Sequence, residues 1–298
     1  MNYHIPVLAP ESLKLLNVRP TFIYIDATCG NGGHSLEILK QKGIVYAIDQ
    51  DQENLKIAQE RIKKAGLTKN FHPIHDNFSN LCQIIKTHIK NPSKIKGLLF
   101  DLGLSSNQQK SENRGFSFND PLSLDMRLDQ TKQDLTAEYI INTYSYPQLF
   151  HIFSFYAQEK YSKPLTLHLI KTRQQKPFKS GLALADAIRD FYQKRGIKTK
   201  TDPSTKVFLA LKIVVNQEYE NLKSALSQTL SCLPSQTMVV IISFHSGEDR
   251  IVKRFIKTHQ PQLDSATKKA ILPSFSDTKH NPLSRSAVLR AYQTKNES

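Results

Sequence analysis

The sequence predicts an α/β fold, a mainly parallel sheet interrupted part-way by a helical insert. Three observations carry that expectation. Over the first hundred residues, short continuous apolar runs alternate with amphipathic helical patterns. Runs of that kind belong to parallel strands covered on both faces. The alternation stops after Leu104, leaves residues 105–203 without a convincing strand, and then resumes with one more apolar strand near the C-terminal end.

Taken in order, Thr21–Asp26 (TFIYID) reads as the first buried strand, followed by a glycine-rich turn and a helix near 33–42. Ile44–Asp49 (IVYAID) is the second strand, and 51–65 forms a polar-faced helix that stops at Gly66. A short third strand lies near 72–75, a helix runs through 78–89, and Ile95–Asp101 is the fourth strand. The segment 105–203 carries Pro121, Pro147, Pro164 and Pro177 with many aromatics, and reads as a helical insert. From Pro203 a single long helix is expected, because Val207, Ala210, Leu211, Val214, Val215, Leu222, Ala225 and Leu226 follow helical spacing. Thr237–Phe244 is the clearest remaining strand, a helix follows from about Glu248, and Ser286–Tyr292 is a candidate terminal strand. The expected organisation is therefore a core in two parts, 1–104 and 204–298, around an insert at 105–203.

No apolar run reaches the roughly 18–20 residues that span a bilayer, and the first residues lack the zones of a signal peptide. The three cysteines, Cys29, Cys82 and Cys232, form no CxxC pair, which points to a reducing compartment and away from a metal site or disulfide frame. A soluble cytoplasmic protein is expected, with no membrane partner. Charge narrows the partners further. The formal net charge is +15, and residues 160–206 hold 12 Lys/Arg against 3 Asp/Glu, while 251–298 hold 9 against 3. Those two stretches account for the whole excess. Localised cationic surface suits a polyanion, whose phosphates release counterions on binding, although a merely solvated face has the same composition.

The first chemical motif is Asp26-Ala27-Thr28-Cys29-Gly30-Asn31-Gly32-Gly33-His34-Ser35, between strand and helix. Glycines there let the backbone approach a ligand, and the helix N-terminus offers free N–H groups. Asp49 ends the next strand about 20 residues on, where a carboxylate accepts hydrogen bonds from ribose hydroxyls. A nucleoside-containing cofactor is implied. A dinucleotide fingerprint starting at Gly30 needs Gly or Ala where Ser35 stands, which disfavours NAD and FAD. S-adenosylmethionine has no pyrophosphate and tolerates a looser glycine cluster. The second and third segments are Leu99–Ser106 (LFDLGLSS) and Ile242–Arg250 (ISFHSGEDR), each leaving a strand with polar residues. Asp101, Ser246 and Asp249 could equally be helix caps.

These segments, together with His4–Leu8 (HIPVL), Asp76–Ser79 (DNFS), Arg114–Phe118 (RGFSF), Leu124–Asp129 (LDMRLD) and Ser284–Ala287 (SRSA), resemble the bacterial small-subunit rRNA methyltransferase H family, also called MraW, over almost the full length. The resemblance implies a class I, Rossmann-like methyltransferase fold with S-adenosylmethionine as methyl donor. It implies as substrate one cytidine of 16S rRNA in the decoding region of the small ribosomal subunit, methylated on its exocyclic N4. By motif match the cofactor contacts would be Gly32, Gly33, His34, Asp49, Phe78, Asp101 and Gln108. The chain departs from the family pattern at Cys29, Asn31 and Asn107, and at Gly247, where Leu is usual.

The N4 lone pair of cytosine is delocalised, so catalysis is largely positioning, helped by acceptors for the amino protons. Asp101 is the leading acceptor and His245 the second, either as acceptor or as a face for the base. No metal is called for. Phe116, Phe118, Tyr144, Tyr146, Phe153 and Tyr156 are aromatics that either stack on RNA or form the insert's own core; Phe116 and Phe118, in a loop, are the better site candidates. Arg173, Lys176, Lys179, Lys194, Arg195, Lys198 and Lys200 form the expected RNA-backbone surface. A non-catalytic nucleotide-sensing RNA-binding protein, and a methyltransferase of another RNA or of a small molecule, remain the alternatives.

Overall fold

The computed structural model describes residues 5–105, 107–108 and 113–295. They fall into two compact units, Met1–Ser105 with Tyr219–Ser298, and Ser106–Glu218. The first unit begins α1 (Ala9–Leu16), β1 (Ile23–Asp26), α2 (Gly33–Lys40), β2 (Ile44–Asp49), α3 (Gln52–Lys64), β3 (Phe71–His75), α4 (Leu81–His88) and β4 (Ile95–Asp101). The second unit holds α5 (Ala137–Thr143), α6 (Tyr146–His151), α7 (Ser162–Gln175), α8 (Gly181–Gln193) and α9 (Ser204–Val215). The chain then continues as α10 (Glu218–Cys232), β5 (Met238–Ser243), α11 (Ser246–Thr258), β6 (Leu263–Ser265), α12 (Phe275–His280) and β7 (Val288–Thr294).

The seven strands form one sheet in the order β3-β2-β1-β4-β5-β7-β6. Pairing is parallel from β3 through β5, and β7 runs antiparallel to both β5 and β6. Alternation along each strand feeds two cores. Ile25, Ile48, Leu98, Phe100, Val239 and Ile241 pack with residues of α4, α10 and α11 on one face. Tyr24, Val45, Ala47, Leu99, Val240 and Ile242 pack with residues of α1, α2 and α3 on the other. That double cover is why the parallel strands read as unbroken apolar runs. The strand order reverses between β1 and β4, the point at which α/β sheets of this kind open a crevice at their carboxyl edge.

The insert's motif residues build its own scaffold. Arg114 donates from Nη2 to the carbonyls of Arg127 (2.9 Å) and Leu128 (3.1 Å). Arg127 makes a paired contact to Asp125 at 2.7 and 2.8 Å and donates to the Gln133 carbonyl at 2.6 Å. Gly115 has φ +71°, and a Cβ there would lie 2.5 Å from the Asp125 nitrogen, so the RGFSF turn is pressed against the LDMR segment. Buried beneath them are Leu124, Met126, Ile140, Phe153, Leu165, Leu184, Phe191 and Leu211.

Two expectations change. The helix expected from Pro203 is two helices, because Gln217 takes φ +50° after α9 ends at Val215. Asn216 locks that break: its Oδ1 accepts from the Leu128 N–H at 2.9 Å and its Nδ2 donates to the Met126 carbonyl at 2.8 Å. Apolar spacing runs through both helices, yet Val207, Phe208 and Leu211 fill the insert core while Leu222, Ala225 and Leu226 fill the sheet core. The boundary by contacts therefore lies after Glu218 rather than at 203. Helix α1 and the three-residue β6 were not foreseen, the latter being too short to show alternation.

Candidate active site

The carboxyl ends of β1, β2 and β4 bring three aspartates to one edge of the sheet. Asp26 lies beside Ala47 and Leu99 in the ladder, Asp49 beside His75, and Asp101 beside Ile242. Asp26 is fully buried, and burial raises its pKa against the opposing pull of His34 and Ser35. The Ser35 hydroxyl donates to Asp26 Oδ2 at 2.6 Å. Thus the residue that departs from the dinucleotide pattern serves to hold the strand-end carboxylate.

The glycine turn has the required backbone, with Gly30 at φ +51° and Gly32 at φ +72°. A Cβ on Gly32 would sit 3.0 Å from that of Ala58, so the turn lies directly on α3. Cys29 is buried beneath the turn, and burial drives its thiol well above the ordinary range, leaving it inert as a nucleophile. Asp49 accepts the Gly30 N–H at 2.7 Å and the Asp51 N–H at 2.8 Å, tying β2 to the turn. Burial nevertheless pushes its carboxyl up to about 7, those two N–H groups opposing the rise.

Next to Asp49 the chain is cross-braced. Gln50 Oε1 accepts from Asn77 Nδ2 at 2.9 Å, and the Gln50 carbonyl lies 3.0 Å from His75 Nε2. Asn77 caps the turn that carries Phe78 by accepting the Ser79 N–H at 2.8 Å. Phe78 meets Phe100 edge-on at 5.6 Å between ring centres.

At β4, the Asp101 N–H donates to Thr28 Oγ1 at 2.6 Å, coupling this strand exit to the glycine turn. Asp101 Oδ2 lies 3.5 Å from Nε2 of the buried His34. Among the described residues, His34 Nε2 and Asp101 Oδ1 are both buried without a hydrogen-bond partner. Burial lowers the His34 pKa, but Asp101, Asp26 and Glu37 together outweigh it and leave the imidazole more basic than usual.

His245, at the exit of β5, caps α11. Its Nδ1 accepts the N–H groups of Gly247 (3.2 Å) and Glu248 (3.5 Å). That engagement places the ring proton on Nε2, which lies 3.2 Å from Glu248 Oε1 without hydrogen-bond geometry. Glu248 in turn accepts the Phe244 N–H at 2.8 Å. The ring packs against Tyr219 at 5.9 Å.

A family model described as the MraW methylase family matches residues 1–295. The chain belongs to the MraW methylase family. It is an enzyme of the methyltransferase class. Among curated relatives, the Ribosomal RNA small subunit methyltransferase H of Onion yellows phytoplasma (strain OY-M) is 42% identical, covering 96% of each chain. The protein of the same name from Halothermothrix orenii is 38% identical over 96% of this chain and 97% of its own. Among solved structures, an rRNA methylase from Streptococcus thermophilus aligns over 98% of this chain and 99% of its own, at TM-score 0.47 and 13% identity.

Within this MraW family member, Gly32, Gly33, His34, Asp49, Phe78 and Asp101 all belong to the first unit, on the strand-end turns just described. His245 belongs there too. Gln108 is buried in the second unit. Sequence reasoning quoted Thr28, Ser35 and Asn77 within motifs but gave them no site contact, and it did not single out Gln50; all four touch other site residues. Asn77 alone had a local signal, an Asn two residues ahead of a Ser at a turn. Of the aromatics, Phe153 is fully buried, and Phe116 and Phe118 pack on the insert core, with Phe118 edge-on to Phe208 at 6.1 Å. The residue that stands out instead is Phe155, which is 58% exposed.

The expected cationic surface divides. Arg173 donates to the carbonyls of Ile141 and Tyr144 at 2.7 and 2.8 Å, a structural use. Lys179 pairs with Glu138, Lys194 pairs with Asp190, and Arg195 lies over the Phe191 ring. Lys171, Lys176, Lys198 and Lys200 are exposed and make no ion pair among the described residues. The Gly247 departure has a packing reason, since a Cβ there would fall 1.8 Å from the Tyr219 hydroxyl.

Proposed function

We propose that this enzyme transfers the methyl group of S-adenosylmethionine to the exocyclic N4 of a cytidine in the decoding region of 16S rRNA. The observation that carries the reading is Asp101 Oδ1, a buried carboxylate oxygen at a strand exit with no partner among the described residues. The residues present fit the donor. Asp49 supplies a carboxylate for ribose hydroxyls, and the positive-φ turn at Gly30 and Gly32 brings bare backbone to the same edge. Phe78 adds an aromatic wall for the adenine. When bound, the donor supplies an electrophilic methyl on a sulfonium.

The chain's own part is to orient and to accept a proton. An amino nitrogen becomes nucleophilic as its hydrogens are held and its lone pair turns out of conjugation. Asp101 Oδ1 holds one N4 hydrogen and takes that proton as the new bond forms. His245 contributes a fixed ring face against which the base rests, since its Nδ1 is committed to the α11 cap. The target base must be unpaired or extruded, because N4 is engaged in a duplex. Phosphates of the RNA are met by the exposed lysines of the insert, Lys171, Lys176, Lys198 and Lys200, which is the role assigned to that unit.

No helix among the described residues is long and apolar enough to cross a membrane. The reading places the enzyme in the cytoplasm with its ribosomal substrate. Mass spectrometry of rRNA nucleosides from cells with and without the protein tests it directly, the expected result being loss of N4-methylated cytidine. Near-normal turnover by Asp101→Asn at saturating donor would remove the proton-acceptor assignment, and near-normal turnover by His245→Ala would remove the role of its ring face.

A further inference from the structure

Asp101 has a buried companion that proton acceptance alone does not require. The His34 imidazole lies at the start of α2, is 5% exposed, and directs Nε2 toward Asp101 Oδ2 at 3.5 Å. Its Nε2 has no other hydrogen-bonding atom to turn to among the described residues. The groups that face it are Asp101 from β4, Asp26 from β1 and Glu37 on its own helix. The imidazole is therefore the basic group among these carboxylates, which make it more basic than usual and suit it to stand there as a cation. Buried carboxylates that face one another without such a cation take up a proton and become neutral. A neutral Asp101 has no lone charge with which to receive a proton from an amine.

We infer that His34 is a positioning residue, whose imidazolium holds the Oδ2 edge of Asp101 so that Oδ1 stays ionised and aimed at the reacting amine. The inference rests on the proposed role of Asp101. In the step it serves, the N4–methyl bond forms as the methyl–sulfur bond breaks, with sulfur keeping the electron pair. One N4 hydrogen leaves as a proton to Asp101 Oδ1, giving neutral methylated base and a neutral carboxylic acid. His34 stays protonated throughout, its imidazole acting through Asp101 rather than on the reacting atoms. The raised basicity of His34 agrees with this state near neutral pH.

The test is the pH profile of single-turnover methyl transfer at saturating donor and RNA, for wild type, His34→Gln and Asp101→Asn, with donor affinity measured calorimetrically. Removing an adjacent opposite charge raises a carboxylate pKa by about one unit or more. The acid limb of His34→Gln is expected to move up by about one pH unit, so that on the acid side of the wild-type limb its rate falls on the order of tenfold. A side chain that only fills space, or only contacts the donor, would change donor affinity or the rate at every pH and leave the limb in place. An unmoved limb, with Asp101→Asn inactive, overturns the role of His34 alone. Near-normal turnover by Asp101→Asn overturns the reading of Asp101 itself. A second measurement covers a His34→Gln protein that does not fold. The ring-proton NMR titration of His34 is expected to shift to lower pH in Asp101→Asn relative to wild type, and an identical titration in both overturns the inference.

Discussion

Lowering the pH should weaken donor binding through one residue, Asp49. Its carboxyl is raised to about 7 in the donor-free protein, by burial that outweighs the Gly30 and Asp51 N–H bonds. Ribose hydroxyls donate hydrogen bonds, so they favour the ionised form, and binding must expel a proton wherever Asp49 is protonated. For a group of that pKa the apparent dissociation constant scales with the ionised fraction. Between about pH 8 and about pH 6 affinity should drop roughly tenfold, equivalent to about 1.4 kcal/mol. Isothermal titration in two buffers of different ionisation enthalpy should find close to one proton released per donor near pH 6 and almost none near pH 8. Asp49→Asn should abolish the slope and, at high pH, lose about 1.5–3 kcal/mol of affinity with the charged hydrogen bonds. The sign for stability is the reverse of the usual carboxylate case. Because the folded pKa lies above the unfolded value of about 3.9, the contribution of Asp49 to donor-free stability is present below that value and is lost as pH rises through about 7. A dissociation constant that is flat across this range, or a slope that survives in Asp49→Asn, would refute the assignment.

Three other outcomes follow from particular contacts. Gly115→Ala should destabilise the insert by about 3–5 kcal/mol in urea unfolding, through φ +71° and backbone atoms of Leu124 and Asp125 within 2.5–2.8 Å of the new Cβ. Gly247→Ala should cost about 1–3 kcal/mol by displacing the Tyr219 ring, and the cost should largely vanish in a Tyr219→Leu background, a non-additivity read from a double-mutant cycle. Raising salt from about 50 to 200 mM should weaken RNA binding steeply while leaving donor affinity nearly unchanged, as filter binding and calorimetry would report; equal sensitivity of both would count against the separate roles.

By itself the sequence determined the elements whose signal is local. The strands β4 and β2 have the bounds read from the sequence, because a strand covered on both faces is a mainly apolar run; the one charged residue inside either of them, Lys96, is only half-buried and lies over the Phe22 ring. The turn at Gly30–Gly33, the strand-end aspartates Asp49 and Asp101, and the family itself were legible for the same reason: each is a run of neighbouring residues. What only the tertiary structure decided concerns residues far apart in sequence. Helical spacing from Val207 to Leu226 is continuous, and nothing in it says that its first half fills the insert core and its second half the sheet core. The tertiary structure also decided that the RGFSF and LDMR motifs hold one another, and that Ser35 holds Asp26 and Thr28 holds Asp101. Likewise, the sequence left His245 as either an acceptor or a face for the base, and only the structure shows its Nδ1 taking the first N–H groups of α11. Parallel strands set side by side by crossovers bring Asp26, His34 and Asp101 together from three elements. A charge cluster built that way leaves no trace in local composition.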